Sequence, residues 1–165
     1  MAAEFLHKCY RFSERKVFGW INRLRVLRLR ALGAHVGKNV RAFGRFTIIG
    51  DPRNLTLGDG CTLNEGLHLN ARGKIWIGAD VHLSAGVQIH TGELDTSDER
   101  RAHRAGAVTI EDGAWIASGA ILVPGVTVGQ GSVIGALALV ADDIAAGVLA
   151  VGVPAKVKKH LGSRS

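Results

Sequence analysis

The sequence predicts an all-β chain wound as a parallel β-solenoid, and three observations predict it. Aliphatic residues recur every six positions, small residues follow them at a fixed offset, and 22 of the 165 residues are glycine against 3 prolines. Three runs carry the period: Leu57, Leu63, Leu69 and Ile75; then Ile77, Leu83 and Ile89; then Ile110, Ile116, Leu122, Val128, Ile134 and Val140. In the third run the place four residues on holds Ala114, Ala120, Val126, Ser132, Ala138 and Ile144. A helix repeats at about 3.6 residues and a half-buried strand at about 2, so neither explains a period of six. Short strands joined by tight turns, three to a coil, do explain it. The anchor points inward, the small residue fits near a corner, and glycine permits the turn. Each coil is then buried only by the coils stacked on it.

Along the chain, residues 1–32 read as a basic helical segment. Phe12, Val17, Ile21, Leu24, Leu27 and Leu32 alternate there with arginines, and Gly33 is placed to end the helix. Its expected role is to cap the solenoid with its arginines in water, and a basic, apolar-rich helix also suits peripheral contact with a bilayer. Residues 33–160 form the solenoid domain, and residues 161–165 a tail. Between Ile89 and Ile110 the period breaks at ELDTSDERRAHRAGA, residues 93–107. A polar loop thrown out from a rigid platform is where function concentrates.

Lys and Arg number 21 against 14 for Asp and Glu, a formal net charge of +7. That balance suits nucleic acid, an anionic membrane surface or anionic substrates. Aromatic stacking platforms interleaved with arginine are missing, so nucleic acid is not an expected partner. No apolar run approaches the roughly 18–20 residues of a membrane span, and no signal-peptide core precedes a cleavage site. Cys9 and Cys61, without CxxC spacing, read as reduced thiols. The cytoplasm is the expected compartment.

Two blocks, WIASGAILVPGVTVGQGSVIGA over Trp115–Ala136 and VGVPAKV over Val151–Val157, resemble the hexapeptide-repeat acetyltransferases. The likeness is to the maltose, galactoside, nodulation and exopolysaccharide O-acetyltransferases and runs over about residues 33–160. It implies a left-handed parallel β-helix and a homotrimer that holds acetyl-CoA between neighbouring prisms and needs no metal. The implied reaction moves an acetyl group to a saccharide hydroxyl, in surface polysaccharide synthesis. A histidine of the family takes the hydroxyl proton, work suited to an imidazole with a pKa near about 6.5.

The family's loop reads TG-x-H-D, and the same place here reads Thr91-Gly92-Glu93-Leu94-Asp95, so the histidine falls on Leu94. Leucine accepts no proton. His90, directly before the Thr-Gly pair, and His103, within the loop, are the candidate bases. His90 is preferred because a rigid coil fixes its position. Asp95 matches the family's aspartate and is placed to orient an imidazole. Asn64 falls where relatives bind the acceptor, although an asparagine there also suits a turn. On the donor side the resemblance assigns Trp115, Ser118 and Ala136 to the pantetheine groove, and Lys156 and Lys159 to the nucleotide phosphates. The family's Thr-Lys pair reads Ala141-Asp142, a carboxylate that would repel phosphate.

Two competing readings remain. One is a non-catalytic scaffold that lost its base at Leu94. The other is a zinc carbonic anhydrase of the γ class, for which His68, His82 and His90 are present but the HGCxIG-like segment is not.

Overall fold

The computed structural model describes residues 19–95, 97 and 102–162. Helix α1 covers residues 19–31. The first coil then holds β1 (His35–Val36), β2 (Arg41–Phe43) and β3 (Phe46–Gly50), and a 3-10 turn over Pro52–Asn54 leads into the second. The second coil holds β4 (Leu55–Leu57), β5 (Thr62–Asn64) and β6 (Leu67–Ala71), and the third β7 (Ile75–Ile77), β8 (His82–Leu83) and β9 (Gln88–His90). A hairpin of β10 (Gly92–Leu94) and β11 (His103–Ala105) interrupts the winding. The fourth coil holds β12 (Val108–Ile110), β13 (Trp115–Ile116) and β14 (Ile121–Leu122), and the fifth β15 (Thr127–Val128), β16 (Val133–Ile134) and β17 (Leu139–Val140). Last come β18 (Val148–Val151) and β19 (Lys156–His160).

Equivalent strands pair in parallel into three faces. Face A runs β1-β4-β7-β12-β15, and face C runs β3-β6-β9-β14-β17. Face B runs β2-β5-β8-β13-β16-β18 and ends with β19 added antiparallel. The core is the prism interior. Every six-residue anchor is at most 2% exposed, and the offset residues from Ala114 to Ile144 are buried beside them. The first two anchor runs meet on β7, where Ile75 and Ile77 both point inward around exposed Trp76. The corner before β7 is longer than a hexad corner, which resets the count while strand alternation is kept. Cys61 is buried and unpaired; its Sγ–H donates to Gly78 O at 3.0 Å and burial pushes the thiol up. Cys9 lies outside the described residues.

One corner, between faces B and C, repeats a left-handed backbone through the stack. Gly66, Gly86 and Gly119 hold it at φ 75°, 69° and 70°, and Leu137 takes the same place at φ 58°.

Helix α1 differs from the expectation in the face it buries. Asn22, Val26 and Leu29, spaced i, i+4, i+7, pack on the open end of the core, while Ile21, Leu24, Leu27 and Leu32 stay exposed. The register is fixed at both ends of that face. Arg25 donates to Asn22 Oδ1, and the Arg30 guanidinium reaches over to the carbonyls of Val36 and Gly37. Gly33, at φ 94°, closes the helix by donating to Arg30 O at 3.0 Å. Phe12 and Val17 lie outside the described residues. Among the described residues no helix is long and apolar enough to cross a membrane.

Candidate active site

Face B carries the residues assigned to the acyl donor. In-register pairing aligns Arg41, Thr62, His82, Trp115, Val133, Leu149 and Lys159 as one row across seven strands. Trp115 and Lys159 are three strand spacings apart, about 14 Å. The Trp115 Nε1–H donates to Ser84 Oγ at 2.9 Å, which fixes an indole that is otherwise half exposed. Thr62 Oγ1 and His82 Nδ1 lie 2.8 Å apart one step along the row. Asn64, at the end of β5, donates from Nδ2 to Leu83 O at 2.8 Å. Ser118 and Ala136 are exposed on the B–C corner, where Leu137 N–H donates to Ser118 O at 3.0 Å. Lys156 lies 3.0 Å from Asp142 Oδ2, so the lysine and the carboxylate flagged in the sequence neutralise one another.

Face C carries an imidazole pair. His68 aligns with Gln88, and Asn70 with His90, all on the outer side of β6 and β9. His90 is half-buried, its Nε2 stands 3.2 Å from Gln88 Oε1, and its ring centroid is 5.6 Å from that of His68. Burial first, and the charge of His68 second, hold the His90 imidazole below its usual 6.5. Beside it, Asn70 Oδ1 is buried and has no hydrogen-bond partner among the described residues.

The hairpin carries the remaining assigned residues. Leu94 and His103 stand directly opposite in its ladder, and His103 Nδ1 is 3.5 Å from Arg72 Nη1. Asp95 accepts from the Ser97 N–H and hydroxyl at 2.9 and 2.6 Å and pairs with Arg104 at 2.5 Å. The Ser97 donors hold its carboxyl below the usual carboxylate range. In this arrangement Asp95 braces the hairpin. Residues 96 and 98–101 of the expected loop lie outside the described residues.

The structure thus spreads the assigned residues over two faces and a hairpin: Asn64, Trp115 and Lys159 on face B, Ser118 and Ala136 on its corner, His90 on face C. Sequence reasoning missed Thr91, Gln88 and Asn70. Thr91 is fully buried at the root of the hairpin; the sequence marked it as the first residue of the Thr-Gly pair and gave it no role. Among the described residues no group of three or more His, Cys, Asp or Glu side chains is placed to hold a metal.

Residues 107–142 match the family model described as bacterial transferase hexapeptide (six repeats). Over 147 residues the chain is 34% identical to WcaF of Escherichia coli (strain K12), named as a colanic acid biosynthesis acetyltransferase, covering 86% of this chain and 79% of that protein. The chain belongs to the hexapeptide-repeat acetyltransferases. Its fold is accordingly the left-handed parallel β-helix that the resemblance implied. Among solved members, a maltose O-acetyltransferase from Clostridium difficile 630 superposes with a TM-score of 0.76 at 33% identity, over 82% of this chain and 73% of that one. A hexapeptide-repeat acetyltransferase from Vibrio cholerae, solved with acetyl-CoA, gives 0.76 at 26% identity, over 82% of this chain and 75% of that one.

Proposed function

We propose that this hexapeptide-repeat acetyltransferase moves an acetyl group from acetyl-CoA to a hydroxyl of a saccharide. The observation that carries the proposal is His90, a half-buried imidazole on a strand of the prism, its pKa held below the usual 6.5 by burial. With Nε2–H donating to Gln88 Oε1, Nδ1 keeps the lone pair that a base needs. His90 Nδ1 accepts the proton of the acceptor hydroxyl as its oxygen attacks the thioester carbonyl. The tetrahedral intermediate then expels the CoA thiolate, which takes the proton back from the imidazolium. His103 is the second candidate base, favoured by its position directly across the ladder from Leu94.

On face B, Trp115, Ser118 and Ala136 line the path of pantetheine, and Lys159, with Lys156 once Asp142 releases it, faces the phosphates. One prism turns its B and C faces in different directions. A homotrimer, in which face B of one copy meets face C and the hairpin of the next, brings donor and base together. Exposed Trp20, Ile21, Leu24 and Leu27 on α1, set among Arg23 and Arg28, favour peripheral contact with an anionic bilayer from the cytoplasmic side.

The test is acetyl-CoA turnover with a panel of sugars and glycans, on wild type beside His90→Ala and His103→Ala. Loss in one variant alone names the base. Acetyl-CoA binding without turnover on any acceptor would count against catalysis and favour the scaffold reading.

A further inference from the structure

A groove of about 550 Å³ opens between α1 and β3, on the first coil. Its walls combine three arginines, Arg25, Arg28 and Arg45, with apolar Leu29, Phe46 and Ile48, and among the described residues no Asp or Glu lines it. Among the described residues the ion pairs are Arg53–Asp51, Arg104–Asp95 and Lys156–Asp142, so none of the three groove arginines is engaged by an acid there. Arg25 is committed to Asn22 and supports the helix. Arg28, on α1, and Arg45, directly before β3, are both exposed and both line the groove. Two exposed arginines lining one groove with apolar residues between them match an anion with planar or tetrahedral oxygens attached to a partly apolar body.

The groove also has a direction. Thr47, on its wall, is in register with His68, and His68 with Gln88; two residues on, Ile49 aligns with Asn70 and Asn70 with His90. From β3 to β9 is two strand spacings, about 10 Å along the outer side of face C. A short saccharide laid across these strands spans that distance.

We infer that the α1–β3 groove binds an anionic group of the acceptor and that the outer side of face C is the acceptor track, ending at His90. The inference rests on the acetyl-transfer reading above and adds the substrate class: an acidic glycan or a phosphate-linked one, whose oxygens Arg28 and Arg45 receive.

The experiment compares a glucuronate-terminated oligosaccharide, its methyl ester and farnesyl phosphate on wild type and on Arg28→Gln/Arg45→Gln. Binding is measured by calorimetry, without donor, and acetyl transfer separately. In the double variant the acidic ligand loses about tenfold or more in affinity, the scale of lost charge-assisted hydrogen bonds. The KM for acetyl-CoA stays where it was, and lysine at both positions restores part of the loss. Binding of the uronate alone identifies a carboxylate, and binding of farnesyl phosphate alone identifies a phosphate. A methyl ester that binds as tightly as its acid, or a double variant that binds both anions like wild type, overturns the inference. Binding that follows this pattern while no sugar is acetylated leaves the groove assigned and sinks only the reaction.

Discussion

Replacing Thr91 by valine should loosen the hairpin without disturbing the prism. Four hydrogen bonds meet on Thr91. Its N–H donates to Asn70 O at 3.2 Å, and its carbonyl accepts from Gly106 N–H at 2.8 Å. Its hydroxyl accepts from Gly73 N–H at 2.8 Å and donates to Asn70 O. The chain thus leaves the prism after the third coil and returns to it before the fourth through contacts to one buried residue. Valine keeps the volume and both backbone bonds, and Asn70 O keeps one donor. Gly73 N–H loses its acceptor in a half-buried place, a cost of about 1–2 kcal/mol. For a chain of this size that lowers Tm by about 2–8 °C. Urea and thermal melts measure the first effect, and hydrogen exchange at the β10 and β11 amides measures the second. Thr91→Ser, which keeps the hydroxyl, serves as the control. A valine variant that melts with wild type and whose hairpin amides exchange no faster would refute the reasoning.

Other outcomes follow from the same geometry. Unfolded His90 titrates near 6.5 and folded His90 lower, so the unfolded chain binds more protons between the two values. Its contribution to stability is therefore fully present above 6.5 and lost as pH falls through the folded value; His90→Gln should flatten Tm against pH in that window, and the wild-type acid limb of kcat/KM should lie below 6.5. Leu137 is 74% exposed at φ 58°. A left-handed backbone costs a non-glycine residue about 1–2 kcal/mol, against an entropic loss for glycine of about 0.5–1 kcal/mol, so Leu137→Gly should stabilise by about 0.5–1 kcal/mol in thermal melts. Asp142→Ala breaks a pair exposed on both sides and should move stability by less than about 0.5 kcal/mol, while freeing Lys156 and tightening acetyl-CoA several-fold in a titration.

The solenoid was legible because a six-residue period is a property of one strand and one corner, repeated. Each anchor from Leu57 to Val140 could be placed inside without knowing what it touches. The helix face was not legible. Ile21, Leu24 and Leu27 form as good an apolar stripe as Val26 and Leu29, and only the fit of Asn22, Arg25 and Arg30 against the first coil decides between them. Of the candidate site, the placement of Trp115, Ser118 and Ala136 on face B and its corner was legible, because the block from Trp115 to Ala136 keeps hexad spacing. On the acceptor side it was not. Thr47, His68 and Gln88, and beside them Ile49, Asn70 and His90, come into line through coil stacking, at sequence separations that no local pattern reports.

Strand β19 covers the last edge of face B. A stack of coils has no intrinsic length, because its last sheet edge can template another chain as readily as it templated the coil before it. Here face B turns back on itself, and the antiparallel β19 lays Lys156, Lys158 and Lys159 along that edge. Two prisms meeting end to end would press those ammonium groups together. Removing the strand would expose β18 and turn a closed molecule into one able to polymerise into fibres.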